Sequence, residues 1–116
     1  MYQDIYGEFY SSETIEKPGI RVDCEVFKGR GLTGRWNLVV VGFFQAPGKG
    51  REAIEMVRQR LQTLADESSS SVVHLADPDN GRSKRFFIKL SNEGDYQPVY
   101  FGDQIYYLRQ FQPRHQ

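Results

Sequence analysis

The chain has 116 residues, of which 39% are hydrophobic and 26% charged, and these values are typical of one globular domain that buries its own core. Fifteen basic residues balance fifteen acidic ones, so no overall charge favours nucleic acid or an anionic membrane. One cysteine excludes an internal disulfide, and two histidines leave little material for a metal site.

The first half of the chain contains strand patterns followed by a helix. We expect a strand over Tyr2–Tyr10 and a second one where apolar and polar residues alternate from Ile20 to Val26. The run at 36–45 is apolar on both alternating sides, which is typical of a strand covered on each face. Apolar residues at helical spacing then predict an amphipathic helix over about residues 50–66.

The second half contains strand patterns only. A polar loop separates a predicted strand at Val72–Ala76 from another at Arg85–Leu90. The chain then predicts a hairpin, in which Val99–Phe101 pairs with Gln104–Phe111. Gly102-Asp103 has the composition of a two-residue turn, and this turn length fixes which residues face each other.

These elements predict a single compact α+β domain over residues 1–116. It consists of a largely antiparallel sheet of about six strands, with one amphipathic helix packed on it. The N-terminus lacks the basic and apolar regions of a signal peptide, and no apolar stretch approaches the roughly 20 residues of a membrane span. We therefore expect a soluble, cytoplasmic protein that does not bind membranes.

The terminal hairpin predicts a functional surface, because alternate residues of a strand face opposite sides of the sheet. We assign Val99, Phe101 and Leu108 to the core. The opposite side chains, together with those pointing away from the core on strand 85–90, form an aromatic and basic surface. Its predicted members are Arg85, Phe87, Lys89, Tyr96, Tyr100, Tyr107 and Arg109. Such residues are enriched in interface cores and favour protein binding; alternatively, the helix or the N-terminal segment covers this face.

Aromatic and basic side chains on one sheet face also favour a second partner, single-stranded DNA or RNA, whose bases would stack on the rings. The segment Lys84–Leu90 superficially resembles the strand of an RNA-recognition domain, but it lacks that motif's two glycines. The loop Lys28–Arg35 adds basic residues. It lies at the opposite end of strand 36–45 from Lys49 and Arg51, roughly 30 Å away, so these groups form no compact patch.

The start of the predicted helix offers an anion site. Lys49, Gly50 and Arg51 lie where free backbone N–H groups and the helix dipole favour phosphate or another small ligand. The segment is not a P-loop, because five residues rather than four separate Gly42 from Gly48-Lys49 and no hydroxyl residue follows the lysine. The competing interpretation is a solvated helix start with glycine for turn geometry.

No arrangement of residues predicts catalysis, a metal or a cofactor. His74 near Asp77 is more typical of a buried histidine with an ordinary partner than of a metal ligand. Cys24 alternates with apolar residues and is expected to be buried and inert. We therefore expect a small non-enzymatic binding or regulatory protein that contacts another protein, or a second copy of itself, through the aromatic surface.

Overall fold

The computed structural model describes residues 7–29 and 37–114, and within these ranges it contains six strands and two helices. Residues 2–6 of the first predicted strand and 30–35 of the predicted basic loop lie outside the described residues. The elements are β1 Glu8–Lys17, β2 Ile20–Gly29, β3 Asn37–Gln45, α1 Gly50–Ser68, β4 Val72–Ala76, α2 Gly81–Asn92, β5 Gln97–Phe101 and β6 Gln104–Phe111.

The six strands form one sheet in the order β1-β2-β3-β4-β6-β5. Every neighbouring pair is antiparallel except β3 and β4, which run parallel. Parallel neighbours need a long crossover connection, and α1 supplies it. The predicted α+β class with a largely antiparallel sheet is therefore confirmed.

Helix α1 covers one face of the sheet, which we call the helix face. Its apolar residues recur every three or four positions and are buried at Ala53, Ile54, Val57, Leu61 and Ala65. They pack against buried β2 residues, including Val22 and Cys24. Arg60 also donates two hydrogen bonds to the Glu13 carboxylate, at 2.6 and 3.0 Å, and so joins α1 to β1. The predicted helix and the buried cysteine are both confirmed.

The opposite sheet face has a core of its own. Val39, Val41 and Leu75 are buried there, with Phe27 and Leu108 packed against them. Since Leu38 and Val40 are buried on the helix face, β3 is buried on both sides. This confirms the expectation drawn from its apolar sequence.

The predicted strand at Arg85–Leu90 is wrong, because this segment lies within α2. The Asn80 side chain accepts a hydrogen bond of 2.9 Å from the Ser83 N–H and caps the helix start. Phe87 and Leu90 are then buried at helical spacing, whereas Ile88 is 47% exposed. Apolar residues at 86, 88 and 90 also fit a strand period, which led to the wrong prediction; the described residues contain two helices rather than one.

The terminal hairpin has the predicted register. Phe101 pairs with Gln104, Tyr100 with Ile105 and Val99 with Tyr106. The assignment of its faces was right only in part. Leu108 packs in the opposite-face core as expected, but Phe101, also assigned to the core, is 38% exposed at the end of the hairpin. The side carrying Tyr107, expected to face outwards, is the helix face and is buried.

Candidate functional site

The parallel strands β3 and β4 separate near their carboxyl ends. Their pairing runs from Leu38↔Val72 to Val40↔His74 and stops there. β3 continues to Gln45 beside β2, while β4 continues to Ala76 beside β6. The carboxyl ends of parallel strands are a common place for ligands in α/β sheets, because the loops that follow diverge there.

A groove of about 1350 Å³ occupies this split. It is lined by the end of β3, by the loops at 46–49 and 77–80, and by the first turns of α1 and α2. Phe44, Phe86 and Phe87 line it on the helix face, whereas Phe27 and Phe43 line its continuation on the opposite sheet face. An apolar wall with a polar rim is typical of sites for small organic molecules, and the volume suffices for one.

Two glycines at the entrance to the groove determine how the chain passes from β3 into α1. Gly48 has a φ of 71° and turns the chain between β3 and α1. At Gly50, an added Cβ would lie 3.2 Å from two ring atoms of Phe86, so the absence of a side chain lets α1 begin directly against that ring. Gly50 was predicted either to contribute to an anion site or to serve turn geometry; in the structure its lack of a side chain allows close packing.

The charges lining the groove balance. The cations are Lys49, Arg51, Arg82 and Lys89, and the anions are Glu25, Glu52, Asp77 and Asp79. The predicted anion-binding residues Lys49, Gly50 and Arg51 do lie together on the rim, but Arg51 donates to both carboxylate oxygens of Glu93 at 2.7 Å. This pair raises the pKa of Arg51 and lowers that of Glu93, so the Arg51 charge is already compensated.

The N-termini of α1 and α2, which both line the groove, differ in their capping. At α2 the Asn80 side chain caps an N–H group, whereas the Lys49 side chain forms no capping hydrogen bond at α1. The first N–H groups of a helix have no partner within the helix. The α1 start is therefore the better of the two for receiving an acceptor atom from a ligand.

His74 lies behind the groove with none of its surface exposed. Its Nδ1 is 2.5 Å from the Tyr96 hydroxyl oxygen, while its Nε2 has no hydrogen-bond partner among the described residues. The rings of Phe44 and Phe87 lie at centroid distances of 6.1 and 6.4 Å. A Cβ on Gly42 would lie 3.8 Å from Nε2 and only 3.2 Å from Phe44 Cε1 and Val22 Cγ1, so the absence of a side chain at Gly42 lets these groups pack closely.

His74 and Tyr96 form a buried, neutral hydrogen-bonded pair. Burial lowers the pKa of His74 to about 4, so the imidazole is neutral at pH 7. Burial also raises the pKa of Tyr96, so its hydroxyl keeps its proton. A phenol hydroxyl both donates and accepts, so this pair forms with either tautomer of the imidazole.

Sequence analysis found the buried histidine but missed its partner Tyr96 and the role of Gly42. The predicted order of strand 36–45, helix 50–66 and strand 72–76 was an available signal, because a strand–helix–strand unit implies a parallel pair. Gly42 also interrupts the apolar run of the strand, between Val41 and Phe43. A glycine inside a strand often marks a close approach to another group.

The predicted aromatic surface does not exist as one exposed face. Phe87, Tyr96 and Tyr107 are buried in a single cluster between α2 and the sheet. Arg109 is half-buried, with its guanidinium 5.5 Å from the centre of the Phe111 ring. The remaining members, Arg85, Lys89 and Tyr100, are exposed. The alternative named the helix at about residues 50–66 or the N-terminal segment as the cover. Ile54 of α1 does pack in this cluster, but Phe87 and Leu90 belong to α2, the segment that was predicted as a strand.

Exposed apolar side chains do occur at the end of the β5–β6 hairpin. Tyr100 is 68% exposed, Ile105 41% and Phe101 38%. Tyr96 and Arg109 contribute instead to a shallower depression of about 610 Å³, where Arg109 lies 3.6 Å from Asp95.

No protein-family model, curated protein or solved structure matches this chain. Within the described ranges, no group of three His, Cys, Asp or Glu side chains is arranged to hold a metal ion. Neither α1 nor α2 is long and apolar enough to cross a membrane. The proposals below therefore depend on the geometry of the chain itself.

Proposed function

We propose that this protein binds a small aromatic organic molecule in the groove between β3 and β4. The observation that carries the proposal is the split between two parallel strands, occupied by a groove that Phe44, Phe86 and Phe87 line on the helix face. Phe86 is half-buried, so its ring offers surface to a ligand. Aromatic pairs contribute about 0.5–1.5 kcal/mol beyond the area they bury.

The proposal is tested by adding 2-naphthamide to ¹⁵N-labelled protein and following the backbone amide signals. We expect the signals that move to come from residues 41–52 and 76–87. Phe86→Ala should weaken binding about threefold to tenfold, which corresponds to one lost aromatic pair. Tyr100→Ala, outside the groove, is the matched control and should leave the affinity unchanged. If the groove signals stay still with every naphthalene derivative tried, the proposal is wrong.

Protein binding remains a second candidate, now at a different place from the predicted surface. The exposed side chains of Tyr100 and Ile105 lie opposite each other on paired strands at one edge of the sheet, whereas Phe101 faces the other side and contacts Tyr106. Exposed apolar clusters of this kind are common at protein interfaces.

Sedimentation velocity over a range of concentrations tests the case in which the partner is a second copy. Association that disappears in Tyr100→Ser, with unchanged thermal stability, would support the candidate. A monomer at every concentration would exclude self-association.

A further inference from the structure

We infer that the ligand of the groove is a short extended peptide with an aromatic side chain, whose main-chain N–H and C=O groups pair with a free edge of β3. The inference rests on the proposed function and names the chemistry of its ligand. Two observations carry it, namely an unpaired length of strand edge in the groove wall and the phenylalanine rings beside that edge.

The first observation is the free edge. Pairing of β3 with β4 ends at Val40↔His74, whereas pairing of β3 with β2 continues to Gln45. Within the described ranges, the residues of β3 from 41 to 45 therefore have a partner strand on one side only. Gly42 and Phe44 both line the groove, and both are half-buried. The sheet thus has an edge in its interior, and this edge opens into the groove.

The direction of the main-chain groups on this edge follows from β3 itself. The Leu38 N–H donates to the Ser71 carbonyl oxygen at 3.0 Å, so Leu38 directs its main-chain groups towards β4. Alternate residues of a strand direct these groups to the same side. The N–H and C=O groups of Gly42 and Phe44 therefore point into the split between β3 and β4. Free strand edges of this kind bind extended peptides, which add a further strand to the sheet.

The second observation is the position of the aromatic rings. A ligand residue that exchanges both hydrogen bonds with Gly42 lies directly opposite it, and opposite residues of paired strands have their side chains on the same face. Gly42 belongs to the helix face, because it pairs with Cys24, which is buried there. The ligand side chain then lies on the helix face, where Phe44, Phe86 and Phe87 line the groove. Ring contacts at this place favour an aromatic residue over an aliphatic one.

The charges and the size of the groove agree with a neutral peptide. Four cations and four anions line it, and Arg51 is already paired with Glu93, so no net charge favours an ionic ligand. The volume of about 1350 Å³ exceeds the roughly 300–1,000 Å³ of most small-molecule sites, which leaves room for main chain on both sides of an aromatic residue. Since Gly42 and Phe44 are roughly 7 Å apart along the strand, a peptide of about three residues spans both.

The test compares three ligands by isothermal titration calorimetry at pH 7. The first is the methylamide of N-acetyl-3-(2-naphthyl)-L-alanine, a diamide with the N–H and C=O groups of one extended residue. The second is the matched ester, in which an oxygen atom replaces the acetamide N–H and removes only that donor. The third is 2-naphthamide, the probe of the proposed function.

We expect the diamide to bind about tenfold more tightly than the ester, because the ester leaves one carbonyl of β3 without its donor. Equal affinity of diamide and ester in the groove would overturn the inference but leave the proposed function standing. Binding of 2-naphthamide without binding of the diamide would have the same meaning. If none of the three binds in the groove, the proposed function itself fails.

Amide hydrogen exchange gives a direct readout in the unmodified protein. In the free protein, Gly42 and Phe44 should exchange about tenfold faster than Val41 and Phe43, whose N–H groups point towards β2. Saturating diamide should slow exchange at Gly42 or Phe44 by about tenfold, with a smaller effect at Val41 and Phe43. Equal protection of all four amides in the free protein, or unchanged exchange at Gly42 and Phe44 with the diamide bound, would overturn the inference.

Discussion

Replacing Tyr107 by alanine tests the position of the helix face most clearly. Tyr107 is only 7% exposed and lies in the cluster beneath α2. Its ring stacks on Phe87 at a centroid distance of 6.0 Å and an interplanar angle of 24°. On the predicted exposed surface the same substitution would be almost neutral for folding, so the two placements give opposite results.

The expected cost follows from the buried area. An aromatic side chain removes roughly 150 Å² or more from water, which at about 25 cal/mol per Å² amounts to about 4 kcal/mol. Aromatic-to-alanine substitutions in cores cost about 3–5 kcal/mol, in agreement. For a domain of this size, that loss lowers the melting temperature by roughly 15 °C.

Urea denaturation followed by circular dichroism gives the free energies of unfolding. Tyr100→Ala is the control, since Tyr100 is 68% exposed on the neighbouring strand and should change stability by less than about 0.5 kcal/mol. If Tyr107→Ala is as stable as Tyr100→Ala, α2 does not cover this face and the description of the core is wrong.

Three further predictions concern other parts of the fold. Burial and the charge of nearby acids raise the pKa of the Cys24 thiol to about 12. The thiol should therefore react with Ellman's reagent only after the protein unfolds. Rapid reaction in native buffer would show that Cys24 is not buried. Hydrogen bonds from Arg114 lower the pKa of the Asp66 carboxyl to about 2, so its stabilising effect is complete above about pH 4 and is lost as the pH falls to about 2. Carbon NMR should follow this titration, and Arg114→Ala should move its midpoint towards 4, whereas an unchanged midpoint would show that the pair does not form in solution. Ser69 ends α1 with a φ of 52°, a left-handed conformation that glycine adopts with less strain than serine. Ser69→Gly should therefore raise the free energy of unfolding by about 0.4–1 kcal/mol, whereas the control Ser70→Gly should not. A loss of stability in Ser69→Gly would refute the left-handed cap.

The sequence predicted those elements whose periodicity has a single interpretation. Val72–Ala76 is a strand with the predicted bounds, and α1 begins at residue 50 as expected. The terminal hairpin has the predicted register because a two-residue turn allows few others. β1 instead extends to Lys17, since its polar residues at 11–14 gave no apolar alternation to follow.

The segment at 85–90 shows why the candidate site could not be predicted. Apolar residues at 86, 87, 88 and 90 fit both a strand and a short helix, and the cap at Asn80 decides between them. With a strand there, Phe87 and Tyr107 were assigned to an exposed face, and the groove had no second helix to line it. The contact between His74 and Tyr96 joins residues 22 positions apart, and no local pattern indicates it.

A crystal structure grown with saturating 2-naphthamide tests the binding groove most directly. Our account predicts density for the naphthalene ring between the ends of β3 and β4. Density only at the exposed end of the β5–β6 hairpin, or a groove without ligand at saturating concentration, would contradict it.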